Sequence, residues 1–213
     1  MNTFNIILTF GLIVFLSCQD SNNQESDSTA INDTTTINSE HDLLLENEAG
    51  AELIIRNTES NAPFDTLDYD KVIAYDYEGK ESNWSIIDEN GKLESTVKQQ
   101  KNLNQSQVDD LTFFLGDVET YGAQRAACFE PHLGIVFYKK NNIVAHFSIC
   151  LECNYMISSI RIPAASHKKI RINSEYEDPQ NGFSKIGRKK INDLCRQLNF
   201  SHCLDTLNTI FDE

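Results

Sequence analysis

The residues best equipped for chemistry fall into two short motifs, Cys128-x3-His132 and Cys150-x2-Cys153. Thiolate sulfur and neutral imidazole nitrogen are the ligands of tetrahedral zinc, so Cys128, His132, Cys150 and Cys153 form a candidate Cys₃His metal site with zinc as its cofactor. Two other chemistries use the same atoms. A disulfide from Cys128 to Cys153 or Cys150 would join the two motifs without a metal. A Cys150/Cys153 redox pair would make the chain a thiol-disulfide oxidoreductase, although the motif ends a strand instead of opening a helix, where the dipole favours thiolate. The spacing alone leaves all three open. No Ser/His/Asp motif, phosphate-binding loop or dinucleotide fingerprint is present, and no catalytic residue can be assigned, so the pattern leans toward binding over catalysis.

These motifs must be positioned by the elements around them. Leu133–Tyr138 and Ile143–Ile149 are apolar, β-branched and aromatic runs separated by Lys139-Lys140-Asn141-Asn142, which predicts a hairpin. With Tyr138 opposite Ile143, the ladder extrapolates to Cys128 opposite Cys153 and Pro131 opposite Cys150, so both motifs meet at one end. Both strands are apolar on both faces, which places the hairpin centrally in the sheet and covered on each side. Val72–Tyr77 and Trp84–Ile87 read as further strands of a meander, with turn chemistry at Glu78-Gly79-Lys80 and Asp88-Glu89-Asn90-Gly91. His146 lies within the second hairpin strand, on the face of Cys150 but about 13 Å from it, and reads as a sheet histidine.

Two helices complete the picture. Asn104 with Gln107 forms a capping box and Leu103 with Val108 a staple, opening a helix that Gly116 ends. Its Val108, Leu111, Phe114 and Leu115 repeat at helical spacing and predict a core face. Ser184 caps a second helix from Lys185 to Leu198, with Ile191, Leu194, Cys195 and Leu198 on one side and Asn199 closing it. The expected fold class is therefore α+β, an antiparallel sheet of meander plus central hairpin packed with two main helices, over residues 68–213.

The segments Cys128-Phe129-Glu130-Pro131-His132, Gly134–Tyr138, Ile149-Cys150-Leu151-Glu152-Cys153 and Gly182-Phe183-Ser184 resemble an uncharacterised domain recurring in bacterial exported and lipoprotein sequences. The resemblance implies that the Cys and His positions belong together; it implies no activity.

At the other end of the chain, residues 1–17 carry no charged side chain, and Ile6–Leu16 is an apolar run of eleven residues. As a helix it would rise only about 16 Å, too short for a hydrocarbon core of about 30 Å but right for a signal-peptide core. The run ends at Leu16-Ser17-Cys18 before a polar stretch, which resembles a lipoprotein signal of Bacteroidota-type bacteria. That resemblance implies cleavage before Cys18, diacylglycerol and a further acyl chain such as palmitate on it, and a lipid-anchored place in the cell envelope. The expected location is the outer membrane, facing the periplasm or the cell surface, with the membrane as partner through the lipid.

Setting Cys18 aside leaves five cysteines, an odd number that pairing cannot exhaust. Cys195 and Cys203 are candidates for a disulfide at the end of the second helix; their pairing would leave three thiols for the hairpin. Between residues 19 and 67 eleven acidic residues face one basic residue, and residues 19–40 are almost wholly polar, so residues 18–67 read as the lipidated Cys followed by a flexible acidic tether. Leu43-Leu44-Leu45 and Leu53-Ile54-Ile55 are the places where this segment would touch the folded part as a short helix or edge strand. The net charge of −14 over 213 residues argues against nucleic acid as a partner, because phosphate binding is driven by Lys and Arg. The acidic surface leaves open an interaction or immunity-type role toward a protein partner that the sequence does not identify. Eight bases against three acids between residues 160 and 190 read as a solvated face balancing the acidic segment.

Overall fold

The computed structural model describes residues 42–46 (backbone only), 51–56, 61–79, 84–204 and 211. The expected signal peptide, the expected lipidation site Cys18 and the polar stretch that follows lie outside the described residues.

The strands in chain order are β1 (Asp42–Glu46), β2 (Glu52–Arg56), β3 (Lys71–Tyr77), β4 (Val97–Asn102), β5 (Tyr121–Ala123), β6 (Leu133–Lys139), β7 (Asn142–Cys150), β8 (Tyr155–Ser158), β9 (Lys168–Arg171), β10 (Glu177–Pro179) and β11 (Gly182–Phe183). The helices are α1 (Gln105–Leu115) and α2 (Lys185–Leu198). Every sheet pairing is antiparallel, which makes the domain α+β. The main sheet has the order β4-β3-β6-β7-β8, with the expected hairpin β6-β7 inside it; β1-β2-β9-β10 form a second sheet and β5-β11 a third.

The hairpin is central because its side chains satisfy two covers at once. On one face Ile135, Phe137, Ala145, Phe147 and Ile149 join Val108, Leu111, Phe114 and Leu115 of α1 and Ile191, Leu194, Cys195 and Leu198 of α2 in one core. Each such fully buried large side chain contributes about 1.5–3 kcal/mol. On the other face Val136 and Tyr138 lie with Ile73, Tyr75 and Tyr77 under Ile86 and Ile87. Both helices begin and end where their caps require. Asn104 and Gln107 exchange reciprocal bonds of 2.9 and 3.0 Å at the start of α1. Ser184 Oγ accepts from Gly187 N at 3.1 Å, and Asn199 stops α2 in the left-handed region at φ 56°.

Three expectations change. Trp84–Ile87 is not a strand: Trp84 is exposed, Ile87 makes an isolated bridge to Leu93, and the apolar pair Ile86-Ile87 serves as a cover over the sheet. The partner of β3 is instead β4, a polar edge strand. The hairpin turn is also tighter than the expected four residues, because Lys139 pairs with Asn142 and only Lys140 and Asn141 turn, both at positive φ (48° and 68°). Finally, Tyr138 does pair with Ile143, but a bulge at Val144 shifts the register so that Phe137 faces Ala145 and Leu133 faces Ile149. The ladder extrapolation of Cys128 to Cys153 and Pro131 to Cys150 is therefore one residue out.

Leu43-Leu44-Leu45 lies in β1 and Leu53-Ile54-Ile55 in β2, which pairs with β9 through Leu53↔Ile170 and Ile54↔Lys169. Sheet structure therefore begins upstream of residue 68. Among the described residues no helix is long and apolar enough to cross a membrane.

Candidate functional site

Cys150 is the last residue of β7, and Leu151–Asn154 turn the chain so that Tyr155 of β8 pairs back with Cys150. The turn closes through Asn154 N–H to Leu151 O at 3.2 Å, with Asn154 at φ 62°. Asparagine tolerates this left-handed conformation better than most residues. The turn brings the Cys153 backbone N–H to the Cys150 sulfur at 3.2 Å, so the two thiols of the motif sit on one side of it. Both are buried, together with Phe129.

Cys128 reaches them from the segment between β5 and β6. Ala126 N–H donates to Cys153 O at 3.0 Å, and the Phe129 ring packs 4.6 Å from that of Tyr155, which anchors the segment against the turn. The Cys153 thiol interacts electrostatically with the thiols of both Cys128 and Cys150. Partial desolvation, then the neighbouring Cys153 thiol, pushes the Cys128 thiol up to about 11; burial does the same for Cys153, also to about 11, and raises Cys150. Without a metal, all three are thiols and not thiolates near neutral pH.

Cys128, Cys150 and Cys153 are free, with Cys128 exposed. His132 goes elsewhere. Its Nδ1 lies 3.2 Å from Tyr77 O, and its ring lines a small cavity with Glu152, His202 and Cys203. Among the described residues no group of three or more His, Cys, Asp and Glu side chains is already set for a metal, so the exposed Cys128 would have to close onto the Cys150/Cys153 pair to complete one. A cavity of about 480 Å³, lined by Gln124–Ala127, Tyr155 and Asp178, shares its Ala126 and Tyr155 walls with the thiol cluster.

Cys195 and Cys203 are bonded to each other, with Cα atoms 6.1 Å apart, and close the end of α2. The neighbouring His202 presents Nδ1 to Asp76 Oδ2 at 3.1 Å, and this fully buried carboxylate also accepts from the backbone N–H groups of Ser201 and His202. His146 holds its ring near Ser85 Oγ at 3.3 Å, and burial lowers its pKa; it belongs to the sheet. Much of the basic run of residues 160–190 is engaged internally: Arg171 pairs with Glu52 and Glu177, Lys169 with Glu177, and Lys168 donates to Gly122 O.

Two residues that sequence reasoning missed converge on the Cys-x-x-Cys turn. Arg188, almost fully buried, donates from Nη1 to Leu151 O at 2.7 Å and to Asn154 Oδ1 at 3.0 Å. Asn154, also buried, donates from Nδ2 to Gln124 O at 2.8 Å and Phe183 O at 3.1 Å, while Phe183 N–H donates to Asn154 O at 3.0 Å. The signal for Arg188 was its position three residues before Ile191, on the inward stripe of α2. The signal for Asn154 was an αL-tolerant residue directly after Cys153.

Compared with known family models, curated proteins and solved structures, the chain matches none.

Proposed function

We propose that this is a lipid-anchored protein of the bacterial cell envelope, held to the outer membrane through Cys18, that binds a thiophilic metal ion such as zinc with Cys128, Cys150 and Cys153. The observation that carries the metal reading is the gathering of Cys150 and Cys153 in one buried cluster with Phe129, with the Cys153 backbone N–H donating to the Cys150 sulfur at 3.2 Å and the exposed Cys128 thiol interacting with that of Cys153. Such donors offset charge on thiolates and are a recurrent support of metal-sulfur centres. A plain disulfide has no use for them. The ion would supply the charge that lowers the raised thiols into thiolate form, releasing their protons. His132 is not a ligand on this reading, and the role is binding without a catalytic residue. The anchor rests on the apolar run ending at Cys18 and on the polar segment after it.

A second reading is favoured by the exposure of Cys128 beside buried Cys153, the arrangement a thiol-disulfide exchange partner would meet. The raised thiols weigh against it, since attack requires thiolate.

The test is elemental analysis with a thiol count on the purified protein kept reduced. One zinc per chain, lost in Cys153→Ser and retained in His132→Ala, supports the metal site. Isolation with Cys128 and Cys153 or Cys150 joined, and no metal uptake after reduction, rejects it. Radiolabelled palmitate incorporation lost in Cys18→Ala tests the anchor.

A further inference from the structure

We infer that Arg188 and Asn154 are positioning residues of the thiol site, holding the Cys150–Cys153 turn in the one conformation that presents both sulfurs together. This rests on the proposed metal reading and assigns the part of the fold that sets its affinity.

A four-residue turn between two strands has several backbone solutions, and most do not place residues at its two ends with side chains converging. Here the choice is over-determined from behind. The Arg188 guanidinium spans the turn, bonding its first residue at Leu151 O and, through Oδ1, the residue that follows Cys153. Asn154 is fixed in turn by Phe183 at both its backbone oxygen and its side-chain amide, and by Gln124 O. The turn is therefore fastened to α2, to β11 and to the segment leading to Cys128. Both residues are nine-tenths or more buried, with Asn154 at 0% and Arg188 at 2% exposure. Burying a guanidinium is expensive unless it is bonded, so its placement under this turn fixes the turn at the same time.

The connection also explains why distant pieces of sequence serve one site. Gly182-Phe183-Ser184 supplies the carbonyl and N–H that lock Asn154, and the cap of the helix bearing Arg188. Gln124 O ties the turn to the stretch that carries Cys128 four residues later. Loss of the clamp should leave all three cysteines present but scattered, raising the free energy of closing them around an ion.

The experiment compares zinc affinity by competition with a chromophoric chelator in wild type, Arg188→Gln, Arg188→Lys and Asn154→Gly, using the full chain with its thiols reduced. Asn154→Gly keeps the left-handed backbone and the Phe183 backbone bond while removing the side-chain amide, so it guards against a failure of Arg188→Gln to fold. Circular dichroism and thermal midpoints report the fold separately. Arg188→Gln and Asn154→Gly are expected to weaken zinc binding by about 10- to 100-fold, with Arg188→Lys partly restoring it. In the cobalt-substituted protein the d–d bands should shift in the variants, a signature that mere destabilisation of the fold does not move. Wild type that binds while folded Asn154→Gly and Arg188→Gln bind equally tightly, with unchanged cobalt spectra, overturns this inference and leaves the metal reading standing. Wild type that fails to bind zinc or cobalt overturns both.

Discussion

Gly134 of β6 is the position where the cover over the outer face of the sheet can be tested most cleanly. A Cβ there would lie 2.5 Å from Ile86 Cγ1, 2.8 Å from its Cβ and 2.9 Å from its Cδ1. Ile86 cannot recede easily, being fully buried and fastened by its backbone N–H to Ser148 Oγ at 2.8 Å. Gly134→Ala is therefore expected to destabilise by about 1–3 kcal/mol through overpacking, exceeding the gain of about 0.4–1 kcal/mol from a stiffer unfolded chain. Ile86→Ala alone should cost about 2–5 kcal/mol as a cavity. It removes Cγ1 and Cδ1 but leaves Cβ, so relief in the double variant is partial: its loss should fall short of the sum by about 1–2 kcal/mol. Urea unfolding followed by circular dichroism measures all four proteins, with a constant slope in denaturant expected. Strict additivity, or a neutral Gly134→Ala, would show that Ile86 does not sit on the sheet at Gly134.

Three further outcomes follow from the same structure. Burial raises the phenols of Tyr75, Tyr77 and Tyr121 above their ordinary value of 10.0. The folded state thus keeps them protonated, and their contribution is complete below about pH 10 and lost above it as the unfolded chain ionises first. Thermal midpoints should fall from about pH 10 upward, with tyrosinate absorbance appearing together with unfolding; full ionisation with the fold intact would contradict this. Removing the Cys195–Cys203 bond, whose partners are eight residues apart, should cost about 2–3 kcal/mol by the loop-closure argument, read as a lower urea midpoint in the double alanine variant. Because Cys128 and Cys153 are pushed up to about 11 and Cys150 is raised too, the metal must displace protons from all three. The logarithm of zinc affinity should then climb by about two to three per pH unit from about pH 6 to 8, and a flat profile would indicate other ligands.

The elements legible in the sequence were those whose local signals and tertiary environment agree. Asn104 with Gln107, Ser184, and Asn199 each close a helix by short-range hydrogen bonds, and the hairpin strands are apolar enough to require two covers. β4 escaped because Val97–Asn102 is an edge strand whose side chains are mostly exposed, so nothing apolar alternates along it. Ile86-Ile87 imitated a strand because a cover packed on a sheet needs the same apolar residues as the sheet. The pairing of β2 with β9 joins segments far apart in the chain, which no local pattern encodes. At the site, the approach of the segment carrying Cys128 to the Cys150–Cys153 turn, through Ala126 N–H to Cys153 O, was legible from the hairpin, since a one-residue bulge changes the register without changing the neighbourhood. The direction of His132 was not legible, because its ring nitrogen meets the Tyr77 carbonyl of β3, 55 residues earlier in the chain, which no local pattern encodes.

X-ray absorption at the zinc edge of the metal-loaded protein addresses the site most directly. Three cysteine sulfurs at about 2.3 Å, with a spectrum identical in His132→Ala, are the predicted result. Imidazole scattering that disappears in His132→Ala, or a sulfur count unaffected by Cys128→Ser, would contradict it.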